Sequence, residues 1–448
     1  MQETTNLTPK QQRRAAAQRR RTHNVILAGL FLLVILVFFI VNLCVKDRDF
    51  SDNENRSLAQ KPEFSWSALA DGSYFDGLTD HYSDQFFARD GWLSLKLRAD
   101  KTLGKKDSGG VFLCRDDYLM SAPEEPDPVA LPATITAINS FTAKHSDLRI
   151  SLMLVPDAAS ILPEKLPRNA PVRDQLADIE SVRTQLAANI TFLDVSQALK
   201  DHASEELYYH TDHHWTSLGA RYAFESAAEG LRIVDPATDY DVYTVTDSFE
   251  GTLSSKSGSH SYQDSIQVYT PQGYDVGYYV TYPDQTRICS LYQSQCLEAK
   301  DKYTVFFGGN HSILEISTTA NNDRCLLMFK DSYANCFIQF LVPYYEKILL
   351  IDPRYYYDNV ESVITQNGVT DLMFLYSADT FLTDTSLKDV LTAQSAAAAT
   401  TEPTPSSAGS VQEPGSALEP DSALEPDSAL EPDSALEPDS AQGPAQDN

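Results

Sequence analysis

The chain is poor in basic residues and in cysteine. It has 35 Lys and Arg against 63 Asp and Glu, which gives a formal net charge of -28 over 448 residues. Because phosphate binding relies on clustered Lys and Arg, this balance argues against a nucleic-acid partner. The six cysteines contain no C-x-x-C pair, so they indicate neither a metal site nor a redox site.

Lys and Arg are absent after Lys388, whereas twelve acidic residues lie there. This segment repeats Glu-Pro-Asp-Ser-Ala-Leu with a period of six, at 419–424 and again at 425–430. Regular Pro and acidic residues, with one Leu per repeat, bury too little apolar area to offset the entropy of ordering. We therefore predict a disordered, acidic, Pro-rich repeat tail over 391–448.

The N-terminus has basic residues followed by a long uncharged run. The 21 residues of 25–45 carry no charge, and at about 1.5 Å each they cross roughly 30 Å of hydrocarbon. The run is longer than a signal-peptide core and no small-x-small cleavage site closes it, which favours an uncleaved transmembrane anchor. Basic residues in 1–24 predict a cytoplasmic N-terminus and an extracytoplasmic remainder. These residues are Lys10, Arg13, Arg14, Arg19, Arg20 and Arg21.

The rest of the chain alternates between strand and helix patterns. Residues 46–120 are polar, aromatic and irregular, which we interpret as a stalk and N-terminal cap. Residues 121–390 read as an α/β domain with a β-rich insertion at about 235–322. Its apolar runs predict a flavodoxin-like three-layer fold. The predicted strands are 149–155, 190–195, 325–329, 347–351 and 371–376, and the predicted helices are 172–188, 217–231, 335–345 and 360–366.

Two polar clusters follow predicted strands, at the end of a parallel sheet where ligand sites form. Asp212 and His214 lie in an aromatic-rich segment, and Ser332 lies three residues beyond a buried strand. Serine needs an adjacent base, and an imidazole needs a partner that fixes its tautomer, so these residues indicate a Ser-His-Asp site. Two alternatives remain: Ser332 is only a helix N-cap, or His210 and His214, with His213, bind zinc.

The sequence resembles the DHHW protein family and is similar to SGNH-like alginate O-acetyltransferase domains, over roughly residues 51–383. The tetrad Asp212-His213-His214-Trp215 and the Asp-Ser-aromatic turn are the most specific parts of this resemblance. The other matching segments are Glu54-Asn55-Arg56, Asp84-Gln85-Phe86, Arg89-Asp90, Val155-Pro156, Lys165-Leu166-Pro167 and Lys330-Asp331-Ser332-Tyr333.

The resemblance implies an SGNH-type fold with a permuted motif order, in which the Asp-x-His block precedes the serine. It implies Ser332 as the nucleophile, His214 as the base and Asp212 as its orienting partner. Asp331 and Tyr333 would support the serine turn, and His213 takes the variable position of the motif.

The same resemblance leaves the oxyanion hole incomplete. The Gly and Asn that SGNH enzymes usually provide after the next two strands are missing from 352–355 and 377–379. The Ser332 N–H remains as one donor. Arg354 is the first candidate to replace the missing donors, and Asn310, which follows Gly308-Gly309 in the insertion, is a weaker candidate.

The function implied is a membrane-anchored, extracytoplasmic O-acetyltransferase or acetylesterase that acts on a cell-envelope polysaccharide. No metal or cofactor is expected. Acetyl transfer outside a membrane needs a delivered donor, so a polytopic membrane acyltransferase is the implied partner. The alternative is a catalytically inactive glycan-binding or scaffold protein with the same fold. An incomplete oxyanion hole is what such a protein would have.

Overall fold

A computed structural model describes residues 9–51 and 56–399. Its first helix, α1 (Pro9–Cys44), contains the predicted anchor up to its last residue. An 18-residue window within Ala17–Cys44 has a mean hydropathy of 3.1, and none of that window is buried. This helix is long and apolar enough to span a membrane, which fits a single-pass anchor. The repeats of the predicted tail lie outside the described residues.

Residues 46–120, for which an irregular stalk and cap were predicted, contain several helices and short strands. Several large side chains of its helices, including Trp66, Phe75 and Tyr82, are exposed. These helices therefore leave large apolar and aromatic side chains in solvent, unlike a helix that is recognised by burying its apolar face in a core. Its described elements are β1 (Phe50–Ser51), β2 (Arg56–Ser57), α2 (Trp66–Asp71), α3 (Ser73–Asp84), α4 (Arg89–Thr102), β3 (Asp107–Ser108), β4 (Val111–Leu113) and β5 (Leu119–Ser121).

The α/β domain is built on a mixed sheet of eight strands, flanked by a separate pair. The strands are β6 (Arg149–Val155), β7 (Ile190–Phe192), β8 (Tyr240–Phe249), β9 (Asp264–Pro271), β10 (Tyr278–Thr281), β11 (Arg287–Ile288), β12 (Ile313–Thr318), β13 (Cys325–Lys330), β14 (Lys347–Ile351) and β15 (Asp371–Ser377). The order in the large sheet is β11-β10-β12-β14-β13-β15-β6-β7, and β8 pairs with β9.

The five predicted strands are confirmed as β6, β7, β13, β14 and β15, which form a contiguous parallel block. Only β7 is clearly shorter than predicted. It ends at Phe192, and the Asp194 carboxylate accepts a 2.9 Å hydrogen bond from the Ser196 N–H as the chain turns away from the sheet.

The strand order agrees with the permuted SGNH-type fold. Counted from β13, the strand that precedes Ser332, the parallel strands run 2-1-3-4-5 across the sheet, which is the flavodoxin-like order. In the chain, however, the fourth and fifth strands of this count, β6 and β7, come first. The serine turn therefore leaves the sheet at its topological switch point, where ligand sites form in open α/β sheets.

The β-rich insertion is an extension of the sheet. Strand β12 pairs antiparallel with β14, with Ile313 opposite Ile351, and β10 pairs with β12. Between β8 and β9 the insertion also forms the short helix α10 (Thr252–Ser257).

Helices cover both faces of the sheet and complete three layers. Alternate side chains of β13 enter opposite cores, with Leu327 and Phe329 on one face and Leu326 and Met328 on the other. The remaining helices are α5 (Ala130–Lys144), α6 (Ala158–Ile161), α7 (Gln175–Gln185), α8 (Ser196–Asp201), α9 (Ser217–Ala227), α11 (Ala334–Phe337), α12 (Val360–Asn367), α13 (Ala378–Thr383) and α14 (Ser386–Ala399).

Two helix ends differ from the sequence expectation. The helix predicted over 335–345 is a single α-turn, α11, followed by short 3-10 segments, the second of which contains Pro343. At the other end, α14 continues beyond the predicted domain limit at 390. Leu391 is buried in the core, so the folded domain extends into the first residues of the predicted tail.

Candidate active site

Ser332 lies in a tight turn between β13 and α11. The turn is held by Asp331, whose carboxylate accepts hydrogen bonds from the Tyr333 N–H at 3.0 Å and the Ser377 N–H at 2.9 Å. The second bond ties the serine turn to the end of β15. Asp331 therefore lies where the sequence predicts a supporting residue.

The segment that carries Asp212 and His214 is fixed against this turn by aromatic side chains. Tyr208 and Trp215 form a β-bridge that closes the loop. The Trp215 indole N–H donates to the Tyr333 carbonyl at 2.9 Å, and the Tyr208 hydroxyl donates to the Pro156 carbonyl at 2.6 Å. Trp215 is fully buried and its indole bonds to the residue after Ser332. The segment that carries Asp212 and His214 is therefore held close to the serine turn.

Asp212, His214 and Ser332 form one hydrogen-bonded chain. His214 Nε2 lies 2.8 Å from Ser332 Oγ, and its Nδ1 lies 2.5 Å from Asp212 Oδ1. The imidazole stacks on the Tyr303 ring, with 3.9 Å between ring centroids. This is the relative placement of nucleophile, base and orienting carboxylate that a Ser-His-Asp triad requires.

Asp212 is also held by the start of α10. Its Oδ2 accepts hydrogen bonds from the Thr252 N–H at 2.7 Å and the Thr252 hydroxyl at 3.0 Å. Burial alone would raise the pKa of Asp212, but the charges of His213 and His214 and these hydrogen bonds hold it well below its usual range. The carboxylate therefore stays ionised and can stabilise an imidazolium at His214.

Gly251 makes this approach possible. A Cβ built on Gly251 would lie 2.3 Å from both Cβ and Oδ2 of Asp212. No local sequence motif marks Gly251 or Thr252, which lie about forty positions from Asp212.

His213 points elsewhere. Its side chain is 44% exposed, and its Nδ1 lies 2.8 Å from the Thr252 hydroxyl. Asp212, His213 and His214 offer three ligand atoms within 4.8 Å of one another, but both His214 nitrogens are already engaged in the triad. His210 is separated from this group, since it stacks on Tyr118 and bonds to Asp264.

The two oxyanion candidates have different surroundings. Arg354 is paired with Asp352 through hydrogen bonds of 2.8 and 2.5 Å, and no contact with Ser332 is found in the described part of the chain. Asn310 is tied to the strand of the serine, since its Oδ1 accepts from Lys330 Nζ at 3.2 Å.

Lys330 is a buried cation at the end of that strand. Its Nζ donates to Asn335 Oδ1 at 2.8 Å, and the Asn335 amide donates to Asn310 Oδ1 at 3.2 Å. Burial lowers the pKa of Lys330 to about 8. Lys330, Asn335 and Asn310 are thus joined by hydrogen bonds that hold the Asn310 side chain. The Asn310 oxygen accepts two of these bonds, so its NH2 group remains as the donor.

Tyr333 supports the loop between the two clusters. Its hydroxyl donates to the His213 carbonyl, and its ring centroid lies 5.3 Å from that of His214. Burial raises the pKa of Tyr333 well above its usual range, so this phenol stays neutral.

A cavity of about 350 Å³ lies beside the triad, lined in part by Asp212, His213 and Tyr333. Two further carboxylates on its wall, Asp157 and Asp379, follow β6 and β15. The Gln175 amide donates to both, at 2.9 and 2.8 Å. Burial and the neighbouring Asp379 raise the pKa of Asp157 well above its usual range.

The chain resembles known proteins in both sequence and fold. Residues 115–307 match the family model described as the SGNH hydrolase-like domain of acetyltransferase AlgX. The structure is similar to that of a DHHW family protein from Eubacterium siraeum, with 25% identity and a TM-score of 0.56 over 64% of this chain and 96% of that one. The resemblance to the DHHW and SGNH-like proteins is thereby confirmed.

Two further structures resemble this chain at lower identity. Bacillus cereus PatB1, solved with a sulfonyl adduct, has 18% identity and a TM-score of 0.52 over 62% of this chain and 97% of that one. The O-acetyltransferase domain of Pseudomonas putida AlgJ has 15% identity and a TM-score of 0.40 over 63% and 99%. The search of curated proteins gave no significant match.

Proposed function

We propose that this chain is a membrane-anchored, extracytoplasmic serine enzyme that transfers or hydrolyses acetyl esters on a cell-envelope polysaccharide. The observation that carries the proposal is the hydrogen-bonded chain from Asp212 through His214 to Ser332. The match of residues 115–307, which include Asp212 and His214 but end before Ser332, to an acetyltransferase family model supports acyl chemistry for this domain.

The first half-reaction acylates the serine. Ser332 Oγ attacks the carbonyl carbon of an acetyl ester while His214 Nε2 takes the hydroxyl proton, and Asp212 stabilises the resulting imidazolium. Collapse of the tetrahedral intermediate breaks the ester C–O bond, and His214 returns the proton to the leaving alcohol. The product is an acetyl-serine.

The second half-reaction transfers the acetyl group. A sugar hydroxyl, or water, attacks the acetyl-serine as His214 accepts its proton, and Ser332 leaves with the proton restored. In both halves the Ser332 N–H is the proposed donor to the oxyanion, and the NH2 group of Asn310, whose oxygen is bonded to Lys330 and Asn335, is the candidate for a second donor.

The anchor and the chemistry together imply where the enzyme works and what supplies it. Basic residues precede the apolar part of α1, so the catalytic domain lies outside the cytoplasm. An acetyl group reaches that compartment only if it is carried across the membrane, and a polytopic membrane acyltransferase is the partner that would deliver it.

A chromogenic ester assay tests the function. The full chain, purified in detergent, should hydrolyse p-nitrophenyl acetate, and Ser332→Ala should reduce the rate by roughly 10³-fold or more. Ser226→Ala on the outer helix α9 is the matched control and should retain the rate. A folded wild-type protein that binds polysaccharide but shows no Ser332-dependent turnover would instead support the non-catalytic alternative.

A further inference from the structure

The stalk carries an exposed apolar surface. Outside α1, most of the large apolar side chains that the described chain exposes lie between residues 64 and 103. An exposed apolar surface, when it is contiguous, marks a site that contacts a protein or a membrane. These side chains are Phe64, Trp66, Phe75, Tyr82, Phe86, Phe87, Trp92, Leu95 and Leu103.

Three of these aromatic side chains line one open groove between α3 and α4. Tyr82 lies on α3, Phe86 follows the end of α3, and Trp92 lies on the first turn of α4. Phe75 is seven residues, or about two helical turns, before Tyr82, so it belongs to the same face of α3. We call the surface formed by Tyr82, Phe86 and Trp92 the aromatic groove.

The aromatic groove is continuous with the anchor. The Phe38 ring of α1 lies 6.2 Å from the Phe86 ring and 5.8 Å from the Trp92 ring, measured between centroids. Asn42 Oδ1 accepts a 2.8 Å hydrogen bond from the Phe87 N–H. The stalk therefore packs on one side of the last turns of α1, and the other apolar side chains of that helix stay exposed.

The position of Phe38 along the anchor indicates what covers the groove. Phe38 is seven residues before Val45, the end of the uncharged run, which is about 10 Å along a helix axis. When α1 spans a bilayer, Phe86 and Trp92 therefore lie just inside the edge of the hydrocarbon. Helices in a membrane interface bury their apolar face about 5–10 Å deep, and Trp and Tyr are enriched at this level. The lipid bilayer is thus the surface that the aromatic groove fits.

We propose that α3 and α4 lie in the extracytoplasmic interface of the bilayer, with the aromatic groove inserted among the lipids. The proposal rests on the anchor in the proposed function and not on its acyl chemistry. It gives a role to the segments Asp84-Gln85-Phe86 and Arg89-Asp90, which the candidate active site does not use.

Docking of the stalk also orients the catalytic domain. Lys101 Nζ, in α4, donates to the Ser259 hydroxyl at 3.4 Å, and Ser259 lies two residues after the end of α10. The other end of α10 binds Asp212 through Thr252. The serine end of the sheet therefore lies on the side of the domain that the stalk contacts, which is the side held towards the bilayer.

Tryptophan fluorescence tests the docking, because the chain has only three tryptophans. Trp66 is 77% exposed and Trp92 is 45% exposed, whereas Trp215 is fully buried. The full chain should be reconstituted into phosphatidylcholine vesicles with and without bromine on the acyl chains, since bromine quenches a tryptophan that it contacts. The emission lost in Trp92→Phe, which is the share of Trp92, should fall roughly twofold or more in the brominated lipid. Emission of Trp66→Phe/Trp92→Phe, which comes from Trp215, should stay the same in both lipids.

The matched control is Val234→Trp in the Trp66→Phe/Trp92→Phe chain. Val234 is 88% exposed and lies three residues after Leu231, whose carbonyl accepts a hydrogen bond from Arg324 at the start of β13. This is the end of the sheet opposite Ser332, so the new tryptophan should stay unquenched.

Equal Trp92 emission in the two lipids would overturn the docking and leave the groove to a protein partner. Equal quenching of Trp92 and of the control tryptophan would show that the bilayer does not select the stalk, and would overturn the proposal as well. Flotation of the vesicles reports the anchor separately, and a chain that does not float with them would refute the anchor and this proposal together. Because no readout involves ester turnover, failure of the proposed catalytic function would be seen independently.

Discussion

Substituting Gly251 by Ala should damage catalysis although it changes no residue of the triad itself. The new Cβ would lie 2.3 Å from Asp212 Oδ2 and 2.6 Å from Cγ, closer than real Cβ atoms approach other groups. Asp212 is only 3% exposed and is held by Thr252, so its carboxylate must move away from His214 or α10 must shift. The backbone itself accepts Ala, since φ at Gly251 is -85°.

The expected magnitude follows from what the carboxylate does. A misplacement of about 1 Å in a catalytic group costs on the order of 10²-fold in rate. We therefore expect kcat for p-nitrophenyl acetate to fall roughly 10²-fold in Gly251→Ala, with a smaller change in KM. Overpacking of this kind also destabilises a protein, typically by about 1–3 kcal/mol.

Gly277→Ala is the matched control for this substitution. A Cβ at Gly277 would meet only the Thr319 side chain, at 3.6 Å, which is an ordinary contact. This variant should keep both kcat and thermal midpoint. If folded Gly251→Ala kept kcat within about twofold of the wild type, Asp212 would not need the position that the structure gives it.

Three further outcomes are expected. Ser332→Ala and His214→Ala should each lower turnover roughly 10³-fold, and the double variant should be little worse than either. His213→Ala should lower turnover far less, and a chelator should not lower it at all. Additive losses in the double variant would contradict a single catalytic unit. Truncation after Thr400 should leave the thermal midpoint of the chain nearly unchanged, and a drop of several degrees would mean that the tail packs on the domain. As the pH rises from about 8 to 10.5, the free energy of unfolding of the wild type should increase relative to that of Lys330→Met in denaturant titrations. The reason is that the unfolded chain still binds a proton at this lysine, whereas folded Lys330 has lost it. A difference that does not depend on pH would contradict the lowered pKa.

The parallel core of the fold was predictable because its strands are buried on both faces. The runs at β6, β13, β14 and β15 are almost wholly apolar, and such runs predict parallel strands directly. The helices of the stalk were not predictable in this way, because their aromatic side chains are exposed. The joining of the insertion to β14 depends on antiparallel pairing that no local pattern specifies.

The sequence indicated the candidate reacting groups and two supports of the serine turn, Asp331 and Tyr333, but it did not indicate the residues that hold Asp212 and His214 from other parts of the chain. Asp212, His214 and Ser332 stand in short motifs next to strand ends. Thr252 and Tyr303 reach the same site only through tertiary contacts. Single-sequence spacing carries no signal for such contacts, which is why Thr252 and Tyr303 emerged only from the structure.

The two oxyanion candidates illustrate the same limit. From the sequence, Arg354 was the first candidate and Asn310 the weaker one. The structure pairs Arg354 with Asp352 and ties Asn310 to Lys330, the residue two positions before Ser332. Asn310 is therefore the better candidate donor. Its contribution would appear as a loss of kcat in Asn310→Ala.

The most direct test of the proposed function is the identity of the residue that becomes acetylated. The full chain should be incubated with p-nitrophenyl acetate, quenched in acid and analysed by intact-mass and peptide mass spectrometry. One acetyl group should appear on the peptide that contains Ser332, and it should be absent from Ser332→Ala. Acetylation confined to another residue, or ester turnover that persists at the wild-type rate in folded Ser332→Ala, would contradict the assignment of Ser332 as the nucleophile.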